Sequence, residues 1–190
     1  MQKKQKWAFA VILLLAVIFS FSYDNQILLA IAGARTEIMT SFFKFISFLF
    51  SKPVIFLLTI LILLQNKKLI PRYAGSFFAT LLIVFFLKTI ISKSRPDAAL
   101  ALIEETGYSF PSGTTAAAFA SLPFTLLVLK KNKSLIILSA VIAALISLSR
   151  IYLGVHYLSD VIAGSLLGFF ISYLTIRYFP LPKQKSLKIE

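Results

Sequence analysis

A chain of 190 residues that is 58% hydrophobic and only 14% charged cannot clothe a water-facing globule, because a small domain exposes much of its area. Its formal charge of +13 sits in short clusters between apolar runs rather than along a polar surface, which argues against nucleic acid and for orientation in a lipid bilayer. Cysteine is absent, so disulfides, thiolate metal sites and a cysteine nucleophile are excluded.

A helical span needs about 20 apolar residues. The first runs from Trp7 to about Tyr23, behind Lys3, Lys4 and Lys6. No small-x-small cleavage site follows, so it is expected to stay as a span rather than leave as a signal peptide. Asp24 to Thr36 is more polar and is expected along the interface. The second span falls within Thr40 to Gln65, with Lys44 and Lys52 toward its outer end and Pro53 as a bend. The third runs from Tyr73 to about Ile91. Ser92 to Pro111 holds Lys93, Arg95, Asp97, Glu104 and Glu105 and must lie outside the hydrocarbon. The fourth span runs from about Ser112 to Leu129, the fifth from Leu135 to about Arg150, and the sixth from about His156 to Phe179. The expected fold is an all-α membrane protein, a six-transmembrane-helix bundle that forms a single domain over residues 1–190, with no internal repeat.

Lys and Arg set the orientation. With six spans one side receives Lys3, Lys4, Lys6, Lys67, Lys68, Arg72, Lys130, Lys131, Lys133, Arg177, Lys183, Lys185 and Lys188, and is cytoplasmic by the positive-inside rule. Both termini then lie in the cytoplasm, and the bilayer is the cell (plasma) membrane. The outer side receives every acidic residue except Glu190.

Three clusters remain on that outer side: Lys88-x6-Arg95-Pro96, then Tyr108-Ser109-Phe110-Pro111-Ser112-Gly113, then Ser149-Arg150-x5-His156-x3-Asp160. Ionisable groups at membrane depth are costly, so each is a functional hypothesis. Lys88, Arg95 and Arg150 supply three cations, two of them planar forks suited to phosphate oxygens. Ser112 can cap the fourth helix, whose free N–H groups and dipole favour an anion, and Gly113 lets a phosphate approach the backbone. His156 and Asp160 are four apart and share a helical face; a bond between them would fix the imidazole tautomer and free the other nitrogen to attack phosphorus. Taken singly each has an ordinary explanation: a snorkelling lysine, a loop arginine, a helix cap, a structural His–Asp pair, a head-group anchor. Their convergence on one membrane face is what favours a phosphate site over these, and charges at span ends without a repeat disfavour a transporter or channel.

The segments K-x6-R-P, P-S-G and S-R-x5-H-x3-D, in this order, resemble the three signature motifs of the type 2 phosphatidic acid phosphatase family. The resemblance implies a metal-independent, cofactor-free phosphatase whose partners are a membrane lipid phosphate substrate and the bilayer. It implies that Lys88, Arg95, Ser112, Gly113 and Arg150 are substrate-binding, and that His156 is the nucleophile, with a phosphohistidine intermediate and Asp160 as its partner. The family's second motif normally ends in a histidine that protonates the leaving oxygen, where this chain has Thr114; His156 is its only histidine. The acid role is therefore vacant or passes to Glu104, Glu105, Tyr108 or a water. A positioned acid contributes about 10²–10⁴-fold, and an alkoxide whose conjugate acid has a pKa of about 16 is hard to expel without one. A phosphate monoester, with its last pKa about 6, leaves far more easily. The expected substrate is thus a lipid diphosphate, undecaprenyl diphosphate first, with phosphatidylglycerophosphate or phosphatidic acid as the alternative. A catalytically impaired chain that only binds lipid phosphates is the third reading. Finally, Gly164-x3-Gly168 is a small-x3-small pattern that serves close helix packing or a homodimer.

Overall fold

The computed structural model describes residues 20–179; among these all the regular structure is helical, without a strand, and residues 92–112 between the fourth and fifth helices are mostly irregular. Helix α1 covers residues 20–33, α2 Glu37–Leu49, α3 Lys52–Leu63, α4 Ile70–Ile91, α5 Gly113–Leu129, α6 Lys133–Tyr152 and α7 Leu158–Tyr178. The first expected span lies, up to residue 19, outside the described residues, as do the terminal lysine clusters.

Helices α4 to α7 begin and end no more than three residues from the spans read in the sequence. The 22 residues of α4 are about 33 Å long at 1.5 Å per residue, enough for the hydrocarbon. Among the described residues α6, α7 and the stretch Lys52–Ile91 are long and apolar enough to cross a membrane, and Gly113–Leu129 is a shorter apolar helix. The expected second span is instead two short helices. Helix α2 stops at Leu49 and α3 starts at Lys52, with Pro53 in its first turn rather than bending its middle. Proline tolerates that position because its missing N–H would have had no helical partner. Asn66, at φ −145° and ψ 76°, breaks the helix after α3, and α4 folds back so that Phe56 packs on Tyr73 and Phe77.

The bundle is arranged for lipid. Phe78, Leu82, Phe85 and Phe86 form an exposed stripe along α4, and Ile38, Phe45 and Phe48 another on α2. Small residues are central instead: Ala116, Ala117, Ala118 and Ala120 of α5 are buried against the surrounding helices. Hydroxyls tie the helices together, Tyr73 with Ser121 at 2.8 Å and Ser76 with Ser172 at 2.8 Å, and the Ser172 hydroxyl also donates to the Ala120 carbonyl at 2.7 Å.

Gly164 and Gly168 face α5 of the same chain. A Cβ on Gly168 would lie 2.1 Å from the Ala116 carbonyl oxygen, and one on Gly164 2.5 Å from that of Ser112. The pair therefore seats α7 on α5 and does not supply a homodimer face. Gly168→Ala is expected to lower the thermal midpoint of the detergent-solubilised protein, an overpacking cost of about 1–3 kcal/mol. Gly75→Ala on α4, where a Cβ meets nothing within 4 Å, is expected to raise it slightly or leave it unmoved.

Candidate active site

The start of α3, the end of α4, the start of α5, the end of α6 and the start of α7 meet at one end of the bundle, and every residue singled out in the three motifs lies there. His156 sits in the turn between α6 and α7, 3% exposed. That turn is shaped by Gly154, whose φ of 72° suits glycine and whose position leaves no room for a Cβ, 2.2 Å from the Leu100 carbonyl. The amides of Val155 and His156 both donate to the Arg150 carbonyl at 3.2 Å, so the turn is tied to the end of α6.

Nδ1 of His156 lies 3.3 Å from Asp160 Oδ2, in the first turn of α7. Asp160 Oδ2 also accepts from the Tyr157 amide at 2.9 Å and from the Ser109 hydroxyl. With Nδ1 turned to a carboxylate, Nε2 is the acceptor nitrogen, and it faces Arg95 Nη1 at 3.5 Å. Burial pushes the His156 pKa down to about 4, more than the attraction of Asp160 raises it, so the imidazole is neutral at pH 7 and its Nε2 lone pair is available.

The cations are held around it. Arg95 donates to the carbonyls of Val155 at 2.7 Å, Gly107 at 2.9 Å and Thr106 at 2.9 Å. Lys88 donates to the carbonyls of Ser109, at 3.1 Å, and Tyr108, just before Pro111-Ser112. Arg150, 2% exposed, donates Nη1 to Ser47 at 2.7 Å and Nη2 to Glu105. Its Nε is buried with no hydrogen-bond partner among the described residues. A buried orphan donor is rare, and one on a guanidinium suits an anionic ligand. Ser112 is the N-cap of α5, its Oγ accepting from the Thr115 amide at 3.5 Å, while its own amide donates to the Asp160 carbonyl at 3.0 Å and joins α5 to α7.

Thr114 is 7% exposed in the first turn of α5. Of the stand-in acids, Glu105 is committed elsewhere. It bridges Arg150 and Arg95, the latter at 3.6 Å, and although burial pushes its carboxyl up, Arg150, Arg95, His156 and Lys52 hold it below the usual glutamate range. It is an ionised counter-ion and a poor proton donor. The Tyr108 and Glu104 side chains are exposed.

Four contributors escaped the sequence. Asp24, expected at the interface, is buried in α1 and accepts from Lys93 Nζ at 2.7 Å and from the Ser159 amide at 2.9 Å. Lys93 also donates to Ser159 Oγ at 2.7 Å and pairs with Asp160 Oδ1 at 3.0 Å, so the histidine's partner is itself held from behind. A carboxylate just past the end of an apolar run is the one signal the sequence carries for Asp24. The fourth, Lys52, read only as a charge at a span end, lays its Cε 3.3 Å and its Nζ 3.8 Å from where a Cβ on Gly113 would stand.

Comparison with known proteins adds to this geometry. The model of the PAP2 superfamily matches residues 71–183. The chain is 40% identical over 96 residues to "Phosphatidylglycerophosphatase B" of Bacillus subtilis, covering 46% of this chain and 47% of that protein. It is 46% identical over 72 residues to "Undecaprenyl-diphosphatase" of Sulfolobus acidocaldarius, covering 38% and 34%. The matched stretches thus span about half or less of these relatives. Among solved structures, it superposes on the transmembrane PAP2 type phosphatidylglycerolphosphate phosphatase of Bacillus subtilis with a TM-score of 0.73 at 27% identity, covering 89% of this chain and 94% of that one. LpxE of Aquifex aeolicus gives 0.72 at 28% identity, covering 82% and 95%.

Proposed function

The chain belongs to the PAP2 superfamily, and on that premise we propose that it is a membrane lipid phosphatase that removes the terminal phosphate of a lipid diphosphate through a phosphohistidine. The observation that carries the reading is His156, with Nδ1 turned to Asp160 and Nε2 turned to Arg95. In the first step Nε2 bonds to phosphorus, and the bond from phosphorus to the leaving oxygen breaks with its electron pair going to that oxygen. In the second, water adds to the same phosphorus, the P–N bond breaks and inorganic phosphate leaves. Lys88, Arg95, Arg150 and the amides that open α5 hold the non-bridging oxygens, and Asp160 steadies the imidazole as charge develops on it.

The substrate follows from Thr114. Without a positioned acid, a leaving group that is itself a phosphate is strongly favoured, which selects a lipid diphosphate; undecaprenyl diphosphate is the first candidate, and the relative named undecaprenyl-diphosphatase supports that choice. The relative named phosphatidylglycerophosphatase B and the structural likeness to a phosphatidylglycerolphosphate phosphatase support the alternative, a lipid monophosphate. We place this site on the outer face of a single six-span domain in the plasma membrane, both termini in the cytoplasm, on the strength of the Lys/Arg distribution.

The test is phosphate release by the purified protein, without added metal, from prenyl diphosphates and from glycerolipid phosphates. Prenyl diphosphate is expected to be the better substrate. Thr114→His is expected to raise monophosphate turnover about 10²-fold or more while changing diphosphate turnover little, because only the alkoxide needs the proton. No diphosphate turnover in the unaltered chain overturns the substrate assignment.

A further inference from the structure

We infer that Lys52 binds the inner phosphate of the substrate, the one that departs with the lipid, and so gives the site its preference for a diphosphate over a monophosphate. The inference rests on the phosphatase reading above and deepens it.

Lys52 is the first residue of α3, far in sequence from the three motifs, and the break between α2 and α3 puts it there. Its side chain crosses to the opening turn of α5, with Cε and Nζ 3.3 and 3.8 Å from the position a Gly113 Cβ would occupy. Any larger residue at 113 would contest that space. Val84 of α4 is the other neighbour, at 3.5 Å. The ammonium is thus delivered beside the backbone that a phosphate would approach, and Lys88 and Glu105 lie within its electrostatic reach.

The other charges of the site are already engaged. Glu105 is shared by Arg150 and Arg95, and Asp24 and Asp160 both pair with Lys93. Lys88 is fixed by two carbonyls. Among the described residues Lys52 alone of these cations has neither a hydrogen bond nor an ion pair, and its side chain is exposed. An unpartnered ammonium on a flexible stem suits a point-charge contact with phosphate. The three cations and the α5 amides suffice for the oxygens of one phosphate. A fourth cation at the rim answers a second phosphate bonded to the first. In the cleavage step the electron pair of the breaking P–O bond arrives on the bridging oxygen of that inner phosphate. The Lys52 charge then meets the developing negative charge where no imidazole stands at position 114. No proton needs to move.

The test compares Lys52→Met and Lys52→Arg with the unaltered protein in detergent. Inorganic pyrophosphate and inorganic phosphate serve as binding probes, and kcat/KM is measured for a prenyl diphosphate and the matching prenyl monophosphate. Loss of one charged contact predicts a fall of about 10- to 100-fold in pyrophosphate affinity and in diphosphate kcat/KM for Lys52→Met, with a much smaller fall for phosphate and the monophosphate. Lys52→Arg, which keeps the charge, is expected to recover most of the loss. Equal losses with both probes, or no loss, overturn the inference. The binding arm reads Lys52 even if turnover is absent, so a chain that binds pyrophosphate through Lys52 yet releases no phosphate would sink the phosphatase reading while leaving the Lys52 contact with a second phosphate in place.

Discussion

On the proposed mechanism, replacing His156 with alanine is expected to reduce phosphate release to background, a loss of at least about 10⁴-fold, because removing the proposed covalent nucleophile takes away the whole pathway rather than one contribution to it. No second imidazole exists to take over, since His156 is the only histidine in the chain. The acid-labile phosphohistidine trapped from the unaltered protein should vanish with it. The fold should survive: Asp160 keeps the Tyr157 amide, the Ser109 hydroxyl and Lys93 as partners when the imidazole is gone. Turnover persisting in His156→Ala ends the phosphohistidine mechanism.

The same substitution has a pH signature in stability. The His156 pKa in the folded chain, about 4, lies below its ordinary value of 6.5, so the unfolded chain binds the extra proton first as pH falls. Stability linked to this group is therefore fully present above pH 6.5 and is lost as pH drops from there toward about 4, by roughly 3 kcal/mol. Thermal midpoints measured across that window should fall less steeply in His156→Ala than in the unaltered protein. In activity the neutral imidazole keeps the nucleophile competent well below pH 6.5, so the acid limb of kcat/KM should lie lower than a free histidine would set it.

How far the sequence discloses this site depends on what kind of information each residue carries. Helices α4 to α7 were readable because each is one apolar run bounded by charge or by a proline–serine–glycine opening, and hydropathy measures that directly. The motif residues were readable because chemistry at fixed spacing survives in a one-dimensional string. The break between α2 and α3 was not, since hydropathy is blind to an interruption inside an apolar stretch. The signal that could have found it was local: Ser51 followed by Pro53, a cap and a first-turn proline. With that break invisible to hydropathy, Lys52 reads as a charge at the end of a longer span. Asp24 and Lys93 are 69 residues apart, and nothing in either neighbourhood announces the other. Ion pairs between distant segments are a property of the fold, and only the folded chain reveals them.

That hidden pair supports the second large effect, expected for Lys93→Met. Lys93 Nζ stands between two carboxylates, 2.7 Å from Asp24 and 3.0 Å from Asp160, with the rings of Phe21 at 4.8 Å and Tyr157 at 4.3 Å adding cation–π contact. Both carboxylates are buried, while the lysine side chain is one-fifth exposed. Deleting the cation leaves two negative charges in a poorly solvated corner without the counter-ion they share. Breaking a buried pair from one side costs about 3–5 kcal/mol, far more than the intact pair contributes net, because the orphaned partner keeps its full desolvation penalty. Lys93→Met should therefore lower the thermal midpoint sharply. It should also lower kcat more than KM, since Asp160 loses one of the contacts that orient it toward His156. Adding Asp24→Asn removes one of the stranded charges, so the double variant should be more stable than Lys93→Met alone, with a coupling of about 1–3 kcal/mol in a double-mutant cycle. Lys93→Arg, which keeps a cation between the carboxylates, should restore most of kcat if the charge is what positions Asp160. Additive losses in the cycle would mean that Asp24 and Lys93 act separately, and α1 would then have no part in holding the His156–Asp160 pair.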